Sequence, residues 1–343
     1  MKKGILYGVQ TTGNGHLVRS RDLVSRLKNK EHQIHTLFSG DKDKHIPDLE
    51  LFHPYTRKRG LTFITKEGKI SYLHTIKQLD LYRFYADIRS FDASGFQLAI
   101  TDYEPIVSRI AKQNGILSLG MGHMYSFCYD VPLYRGGRGV ALRVMNNFAP
   151  VDIPLGMHWH HFGQPLLPPM IPADIKGLTP TEEKDLVVVY LHFENLEQVK
   201  SLLFRFPEKT FHIYTRTEQE YEEKNIRIKY VNRNNFITDL AKCEGVICNA
   251  GFSLLSEALH LGKKVLAKPV QGQIEQESNA LALEKLELGT VMHGLDQEVV
   301  RKWFRRSAPE PQNYPEVAET VVDWVDRGKV KDPKELSEQL WRR

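Results

Sequence analysis

Short apolar runs alternate with segments of helical period along the whole chain, and this alternation constrains the fold more than any other feature. Such runs suit buried parallel strands, while the amphipathic segments between them suit helices that cover the sheet. The first half predicts strands near 4–9, 33–38, 97–101 and 116–119, and helices near 16–29, 70–92, 105–114 and 138–148. The second half predicts strands near 185–191, 210–214, 226–230, 245–248 and 264–267, and helices near 195–205, 234–241, 253–261 and 275–287. The predicted fold class is therefore α/β.

Prolines crowd residues 164–181, where they disfavour helix and central strand alike. A chain of 343 residues is also longer than one hydrophobic core usually serves. We therefore predict an N-terminal domain over 1–163, a linker over 164–181 and a C-terminal domain over 182–315. Helical patterns in 316–343 predict tail helices that pack across or beside a cleft between the domains.

The composition is that of a globular chain, with 41% hydrophobic and 26% charged residues. Its apolar runs stay well below the roughly 18 residues that span a bilayer. Three cysteines, Cys128, Cys243 and Cys248, form neither an even set nor a CxxC pair, which predicts a reducing, cytoplasmic location. The net charge of +5 is too diffuse to predict nucleic-acid binding.

One region, residues 57–85, concentrates basic and aromatic side chains. It begins with Arg57, Lys58 and Arg59 and ends with the aromatic residues Tyr82, Phe84 and Tyr85. Two interpretations stay open for it. The region is either a solvated helix face or a surface that contacts an anionic membrane or an acidic acceptor.

A glycine turn joins the first predicted strand to the first helix and contains Gly13, Gly15 and His16. In a strand–turn–helix unit, the helix amides lie at the carboxyl edge of the sheet, where ligands bind. The positive helix end disfavours imidazolium, so His16 is a candidate neutral base, although a capping histidine in a tight turn would fit the same spacing. A dinucleotide fingerprint is not met, because Val18 occupies the position of its third glycine.

A second polar group, Asp102 and Glu104, follows the predicted strand at 97–101, with Pro105 at the start of the next helix. Asp102 can cap that helix. If its strand neighbours the first strand, Asp102 can also orient and stabilise a protonated His16, and the two roles are compatible. Glu104, together with His123, is a candidate on the side of the cleft that binds the acceptor.

The most informative segment is a predicted strand that ends at Asn249, followed by Gly251 and a helix. The free amides of such a helix start can hold a diphosphate. Glu257 lies one turn further and can accept both ribose hydroxyls, while Gln273 and Gln276 can bond sugar hydroxyls from the next helix. Each residue alone fits a cap or a solvated side chain, but their order and spacing predict a donor site.

Residues 244–289 resemble the donor-binding signature of GT-B glycosyltransferases, the group of the lipid II-forming N-acetylglucosaminyltransferase, the diacylglycerol galactosyltransferases and the UDP-glucuronosyltransferases. The resemblance implies two facing Rossmann-like α/β/α domains with a cleft between them. It implies a phosphate-binding turn, a ribose-binding glutamate and a sugar-reading glutamine motif. By position these are Ala250, Gly251, Phe252, Ser253 and Leu254 for the phosphates, Glu257 for the ribose, and Gln273 with Gln276 for the sugar.

The N-terminal half carries two weaker similarities. The loop at 13–16 is similar to the family's glycine-rich loop that ends in histidine, and residues 102–105 resemble an acidic motif of bacterial and archaeal members. Two departures accompany them. The loop at 191–194 contains no glycine where many relatives are rich in glycine and serine, and Gln273 takes the place of an aspartate while Glu275 precedes Gln276.

The resemblance implies transfer of a sugar from a nucleoside diphosphate, with UDP as the expected nucleotide, to a hydroxyl of a glycan, lipid or small molecule. Inversion is expected, with His16 as base and Asp102 as its partner. No metal or cofactor beyond the nucleotide-sugar co-substrate is expected, because helix amides replace the cation and the sequence lacks a compact ligand cluster.

Two other functions stay open at this point. One is a nucleotide-sugar 2-epimerase of the same fold, for which Glu104, His123 and His192 would supply acid and base groups. The other is a nucleotide-sugar-binding module without catalysis.

Overall fold

Two separate, mostly parallel sheets organise the chain, as a computed structural model shows. The structure describes residues 2–11, 14–41, 45–61, 65–66, 69–70, 80–134, 145, 147–181, 183–328, 330 and 332–342. The α/β class predicted from the alternation of apolar runs and amphipathic segments is confirmed. In the described ranges, no helix combines the length and the apolarity needed to cross a lipid bilayer.

The first sheet is built from the N-terminal half. Its strands are β1 (Gly4–Gln10), β2 (Gln33–Ser39), β3 (Tyr55–Lys58), β6 (Leu98–Asp102), β7 (Leu117–Gly122) and β8 (Ile153–Gly156), and a separate hairpin pairs β4 (Thr65–Lys66) with β5 (Lys69–Ile70). The helices are α1 (Asn14–Asn29), α2 (Leu81–Arg89) and α3 (Pro105–Asn114). The strand order is β3-β2-β1-β6-β7-β8, and every pairing in it is parallel.

The second sheet repeats the plan. Its strands are β9 (Glu183–Tyr190), β10 (Thr210–Thr215), β11 (Tyr221–Glu223), β12 (Ile226–Tyr230), β13 (Cys243–Asn249), β14 (Lys264–Lys268) and β15 (Thr290–Val291). The remaining helices are α4 (Ala173–Lys176), α5 (Leu196–Leu203), α6 (Arg233–Lys242), α7 (Phe252–His260), α8 (Ile274–Lys285), α9 (Gln297–Phe304), α10 (Val317–Asp326) and α11 (Pro333–Trp341). The order is β11-β12-β10-β9-β13-β14-β15, and the edge strand β11 is antiparallel to its neighbour.

Burial on both faces explains why the central strands read as continuous apolar runs. Val187, Val188 and Val189 of β9 are fully buried, and they alternate between two apolar clusters on opposite faces of the sheet. β-branched side chains pack well on such a pleated surface.

One apolar cluster extends through both halves of the molecule. It includes Ile5 of β1, Val246 of β13, Leu167 of the predicted linker and Leu340 of α11. The two sheets therefore share a buried core, and their carboxyl edges meet in the cleft described below.

The tail helices return to the first half. Helix α10 packs on α1, where Lys30 Nζ lies 3.0 Å from Asp323 Oδ1, and Lys3 Nζ donates to the Val325 carbonyl at 3.1 Å. In α11, Ser337 Oγ and Trp341 Nε1 donate to the Leu166 carbonyl at 2.6 and 2.7 Å. The tail thus fastens the proline-rich segment to the N-terminal sheet.

The structure contains elements that the sequence did not predict: strands β3, β4, β5, β8, β11 and β15 and helices α4 and α9. It also differs at three predicted elements. Strand β7 extends to Gly122, beyond the predicted end at 119, and Gly120 within it packs under the Tyr125 ring, which a Cβ there would approach to 2.3 Å. The helix predicted at 70–92 is observed as α2 only from Leu81 to Arg89, and residues 71–79 lie outside the described part. Of the helix predicted at 138–148, the described residues 145, 147 and 148 are helical.

Candidate active site

His16 and Asp102 meet at the carboxyl edge of the first sheet. Strands β1 and β6 are parallel neighbours, with Val9 opposite Asp102, so the start of α1 lies beside the end of β6. His16 Nδ1 lies 2.9 Å from Asp102 Oδ1. The Asp102 side chain is 1% exposed and that of His16 is 24% exposed, so the imidazole is partly open to solvent while the carboxylate is buried.

Arg19, one helical turn after His16, completes this cluster. Its guanidinium donates from Nε to Asp102 Oδ2 at 3.0 Å and from Nη2 to Asp102 Oδ1 at 2.7 Å. Burial disfavours the charged carboxylate, but Arg19 and His16 outweigh burial and lower the pKa of Asp102. Arg19 was not predicted as a site residue, although residues three apart on a helix are neighbours.

Glu104 caps α3, a role that the sequence had offered to Asp102. Its Oε1 accepts the amide of Ile106 at 2.8 Å, and its Oε2 accepts the amide of Val107 at 2.7 Å. The residue is fully buried, and burial raises the pKa of its carboxyl to about 7, against the opposing effect of these amides. The structure therefore places Glu104 in the core as a helix cap and not at an acceptor-binding surface.

The carboxyl edge of the second sheet presents a helix start without a side-chain cap. Strand β13 ends at Asn249, and Gly251 is the N-cap residue of α7; no described side chain caps that helix. A Cβ built on Gly251 meets no described atom within 4 Å. Because the first amides of a helix lack intrahelical acceptors, this open position suits an anion.

Asn249 is buried beside this turn. Its Nδ2 donates to the Lys268 carbonyl at 3.1 Å, while its Oδ1 has no hydrogen-bond partner among the described residues. Leu254, also predicted to contact the phosphates, is half-buried and packs against the shared core.

Gly15 and Ser253 bring the two edges together. A Cβ on Gly15 would lie 2.5 Å from Ser253 Oγ and 3.1 Å from Ser253 Cβ, so only glycine allows this approach. The start of α1 therefore lies directly against the start of α7. Gly13, the other predicted glycine of this loop, lies outside the described residues.

Glu257, the predicted ribose ligand, lies one turn into α7 and is held by Arg233. Arg233 Nη1 donates to Glu257 Oε2 at 3.0 Å, and its other nitrogens bond both carboxylate oxygens of Asp174. Burial raises the pKa of Glu257, and Arg233 opposes that rise. Arg233 and Asp174 were not predicted, since only the fold brings α4, α6 and α7 together.

The start of α8 carries the predicted sugar-reading residues. Gln276 is buried, and its Oε1 accepts the amide of Val270 at 3.0 Å, so its NH₂ group remains as a donor. Gln273 is the N-cap residue of α8 and makes no side-chain cap bond to a described residue. Burial raises the pKa of Glu275, whereas His16 and Arg19 act to lower it, which places this carboxylate opposite the first edge.

His123 lies in the contact between the halves. Its ring stacks on Phe252 with centroids 4.0 Å apart and planes 4° apart, and its Nε2 lies 2.5 Å from Asn279 Oδ1. Burial lowers the pKa of His123 to about 4, although Met157 and Asn279 act to raise it. The predicted acceptor-side position is therefore replaced by a buried interdomain one. Phe252, stacked also on Trp159, is buried and can offer a donor only its backbone.

The loop at 191–194 carries charge where the relatives carry glycine. Glu194 Oε1 accepts from Lys268 Nζ at 2.7 Å, and both side chains are largely buried. Burial and Arg216 lower the pKa of His192 to about 4. Lys268, which was not predicted as a site residue, lies at the end of β14, next to Asn249.

Within the described ranges, no group of three or more His, Cys, Asp or Glu side chains is arranged to hold a metal ion.

Comparisons with known proteins identify the fold. Solved structures with similar folds include CalG4, the calicheamicin glycosyltransferase, at 13% identity and a TM-score of 0.60 over 99% of this chain and 98% of that one. Arabidopsis thaliana UGT89C1, solved with UDP, has 14% identity and a TM-score of 0.57 over 99% and 100% of the two chains. Acinetobacter baumannii MurG has 14% identity and a TM-score of 0.54 over 95% and 100%. The predicted GT-B fold is confirmed.

The search of curated proteins found no match. The sequence model described as glycosyl transferase family 1 matches residues 3–308, which include both sheet edges and every predicted site residue. The chain therefore belongs to glycosyl transferase family 1 and is a glycosyltransferase of the GT-B fold.

Proposed function

We propose that this glycosyltransferase moves a sugar from a nucleoside diphosphate sugar, with UDP as the nucleotide, to a hydroxyl acceptor with inversion and without a metal. The observation that carries the proposal is the meeting of two unlike edges at Gly15 and Ser253. One edge holds a paired histidine and aspartate, and the other holds an open helix start. A base and a diphosphate site then lie on opposite sides of one reacting carbon.

In this reaction His16 Nε2 takes the proton of the acceptor hydroxyl as its oxygen bonds the anomeric carbon. The bond from that carbon to the diphosphate breaks, and the diphosphate leaves with the electron pair. Asp102 bonds Nδ1 and stabilises the imidazolium that forms. Attack on the side opposite to the leaving group inverts the anomeric configuration.

The amides at the start of α7 stabilise the negative charge of the departing diphosphate. The open space at Gly251 lets phosphate oxygens reach the backbone. In this proposal Glu257, which accepts a bond from Arg233, accepts the ribose hydroxyls, and Gln276, whose Oε1 is bonded to Val270, donates from its NH₂ group to the sugar. Since the amides at the start of α7 supply fixed positive potential at the leaving group, the proposal requires no cation there.

Sugar transfer fits the geometry better than 2-epimerisation. The epimerase alternative draws its acid and base from Glu104, His123 and His192. Glu104 is a buried helix cap, and the buried His123 is stacked on Phe252 with its Nε2 bonded to Asn279, so both side chains are already engaged within the protein. The His16 side chain is partly exposed, and this exposure favours deprotonation of an external hydroxyl.

We also propose that α2 contacts an anionic membrane. Tyr82 is 89% exposed, Leu81 and Tyr85 are exposed on the same helix, and Arg83 and Arg89 are exposed among them. Aromatic and aliphatic groups flanked by cations suit the interface of an anionic bilayer. Arg57 and Lys58, predicted for the same role, already interact with other groups, and Lys58 bonds Asp87 at 2.7 Å.

Vesicle binding tests the membrane proposal. Tyr82→Ser with Arg83→Glu should reduce co-sedimentation with phosphatidylglycerol vesicles several-fold, and added salt should weaken wild-type binding in the same way. Tyr221→Ser, at an exposed tyrosine of β11, is the control and should bind like wild type. Equal binding of all three proteins, or equal binding to phosphatidylcholine vesicles, would overturn this proposal.

Product analysis tests the main proposal. UDP-sugars and dTDP-sugars are incubated with the protein and a panel of hydroxyl acceptors, and the products are analysed by mass spectrometry and by NMR of the anomeric proton. We expect a glycosylated acceptor of inverted configuration at a rate unchanged by EDTA. A C2 epimer formed without acceptor would establish the epimerase, and nucleotide-sugar binding without turnover would establish the binding module.

A further inference from the structure

Arg19 is the buried charge of the first edge to which the proposed reaction gives no task. Its side chain is 10% exposed, and it makes two hydrogen bonds to Asp102, one to each carboxylate oxygen. Such a two-point bond fixes the plane of the carboxylate, which a single donor leaves free to rotate. The fixed plane directs Oδ1 toward His16 Nδ1 at 2.9 Å.

Gly122, at the end of β7, leaves space for the ion pair of Asp102 and Arg19. Gly122 has φ 135°, and a Cβ there would lie 3.0 Å from Asp102 Oδ1 and 3.3 Å from Arg19 Nη2. A side chain at this position would press on both partners. The close approach of the backbone thus leaves room for the carboxylate–guanidinium pair and confines it.

The contacts around Nδ1 decide which tautomer His16 adopts. A hydrogen bond to Asp102 Oδ1 requires a proton on Nδ1, because a carboxylate only accepts. Arg19 Nη2 also lies 3.3 Å from Nδ1, but a bond from it would require a bare Nδ1 and would leave two acceptors facing each other at 2.9 Å. With both Asp102 oxygens bonded by Arg19, the arrangement that satisfies all three groups has Nδ1–H and a bare Nε2.

Arg19 directs its hydrogen bonds to Asp102 and is largely buried. Its Nε and Nη2 both bond that carboxylate, and its side chain is 10% exposed. Across the cleft, Glu275 faces both Arg19 and His16, which adds a negative charge on that side.

We propose that Arg19 is a positioning residue that fixes the Asp102 carboxylate so that His16 keeps its proton on Nδ1 and presents a bare Nε2 to the acceptor. This inference rests on the proposed role of His16 as base. Arg19 touches neither substrate, and it acts through Asp102.

The test combines kinetics with the tautomer of His16. Arg19→Ala should lower kcat by ~10-fold or more, since it weakens general-base help that is typically worth ~10²–10⁴-fold, while the Kd for UDP stays within two-fold. Arg19→Lys, with one donor group, should give an intermediate kcat. Millimolar guanidinium should restore part of the activity of Arg19→Ala. Arg26→Ala, which removes the ion pairs of Arg26 with Asp22, Glu316 and Glu319, is the control and should keep the wild-type kcat and tautomer.

Two-bond ¹H–¹⁵N NMR on histidine-labelled protein gives the second measurement. The His16 signals are assigned by their loss in His16→Ala. We expect the Nδ1–H form in wild type and a shift toward the Nε2–H form in Arg19→Ala, with Arg19→Lys between them. If Arg19→Ala does not fold, the Arg19→Lys spectrum and kcat decide alone.

The outcomes separate this inference from the proposed function. A wild-type tautomer and kcat in the Arg19 variants, with kcat lost in His16→Ala, would overturn the role of Arg19 and leave the base in place. A large loss of UDP affinity in Arg19→Ala would make Arg19 a donor ligand and would also overturn it. Wild-type kcat in His16→Ala would overturn the proposed mechanism itself.

Discussion

The starts of α1 and α7 both stand at carboxyl edges of parallel sheets, yet their polar groups are arranged in opposite ways. At α1, His16, Arg19 and Asp102 bond one another and leave one imidazole face toward the cleft. At α7, Gly251 offers no side chain, and no described residue caps the helix. A paired cluster holds a proton at a fixed atom, whereas unpaired amides are available to an external anion. The difference supports the proposal that proton transfer belongs to the first edge and donor binding to the second.

Asp102 and Glu257, the buried acids of the two edges, also differ, because their pKa values are shifted in opposite directions. Burial acts on both, but Arg19 and His16 lower the pKa of Asp102, whereas burial outweighs Arg233 and raises the pKa of Glu257. Asp102 is thus stabilised as a charge by the protein alone. Glu257 is a charge that the protein stabilises incompletely, which suits a group with hydrogen bonds still to accept from a ligand.

The largest effect should come from the paired edge. His16→Ala should lower kcat by ~10²-fold or more, because it removes the base, with UDP affinity nearly unchanged. Asp102→Asn should show a smaller loss of the same kind, since it removes the partner and keeps the base. Initial rates at saturating donor and acceptor measure both. Wild-type kcat in a folded His16→Ala would show that this histidine is a structural cap.

The open edge can be filled without disturbing the fold. Gly251 has φ −76° and ψ 128°, which β-branched residues adopt readily, and its Cβ position is free of contacts. Gly251→Val should therefore keep the wild-type Tm but weaken UDP binding ~10–10²-fold, because its methyl groups displace phosphate from the amides at ~1.5–3 kcal/mol for each charged hydrogen bond. Gly294→Val, at another uncrowded glycine, is the control. Wild-type UDP affinity in Gly251→Val would place the phosphates elsewhere.

The smallest effect concerns stability and pH, and its sign should differ between the edges. The lowered pKa of Asp102 gives stability above its unfolded value of ~3.9 that is lost as pH falls toward the folded pKa. The raised pKa of Glu257 works the other way and costs stability as pH rises through the range above ~4.3. In urea unfolding between about pH 3 and 7, the free energy of unfolding of wild type should rise with pH relative to that of Asp102→Asn. It should fall with pH relative to that of Glu257→Gln. If the difference in unfolding free energy from wild type changed with pH in the same direction for Asp102→Asn and Glu257→Gln, the contrast between the edges would be refuted.

The sequence predicted the central strands and the helices beside the sites, because apolar runs and helical periods report burial directly. It failed where tertiary packing decides. Gly120 marks a strand that continues beneath Tyr125, although glycine is usually a sign of a strand end. Asp102 and Glu104 both qualify as caps by composition, and the structure gives the cap to Glu104. Tyr103 lies between them with φ 56°, a left-handed conformation that a tyrosine in the sequence does not predict.

The predicted site residues were found by a different kind of signal. His16 and Glu257 each follow a strand–turn–helix pattern, which the order of residues reveals. Arg19 and Arg233, by contrast, lie in helices with no local motif around them. Arg19 reaches Asp102 only because β1 and β6 are neighbours, and Arg233 reaches Glu257 only because α6 packs near α7. A hydrogen-bond partner that lies on another strand or helix produces no recognisable spacing in a single sequence, so it cannot be predicted from it.

Isothermal titration of UDP into Glu257→Ala and His16→Ala tests the division between the edges most directly. Glu257 is bonded by Arg233 beside the open helix start, whereas His16 belongs to the other sheet. Glu257→Ala should weaken UDP binding by ~1.5–3 kcal/mol, the scale of hydrogen bonds to a charged group, and His16→Ala should leave it unchanged. Unchanged affinity in a folded Glu257→Ala, or an equal loss in His16→Ala, would contradict the assignment of the donor to the second edge.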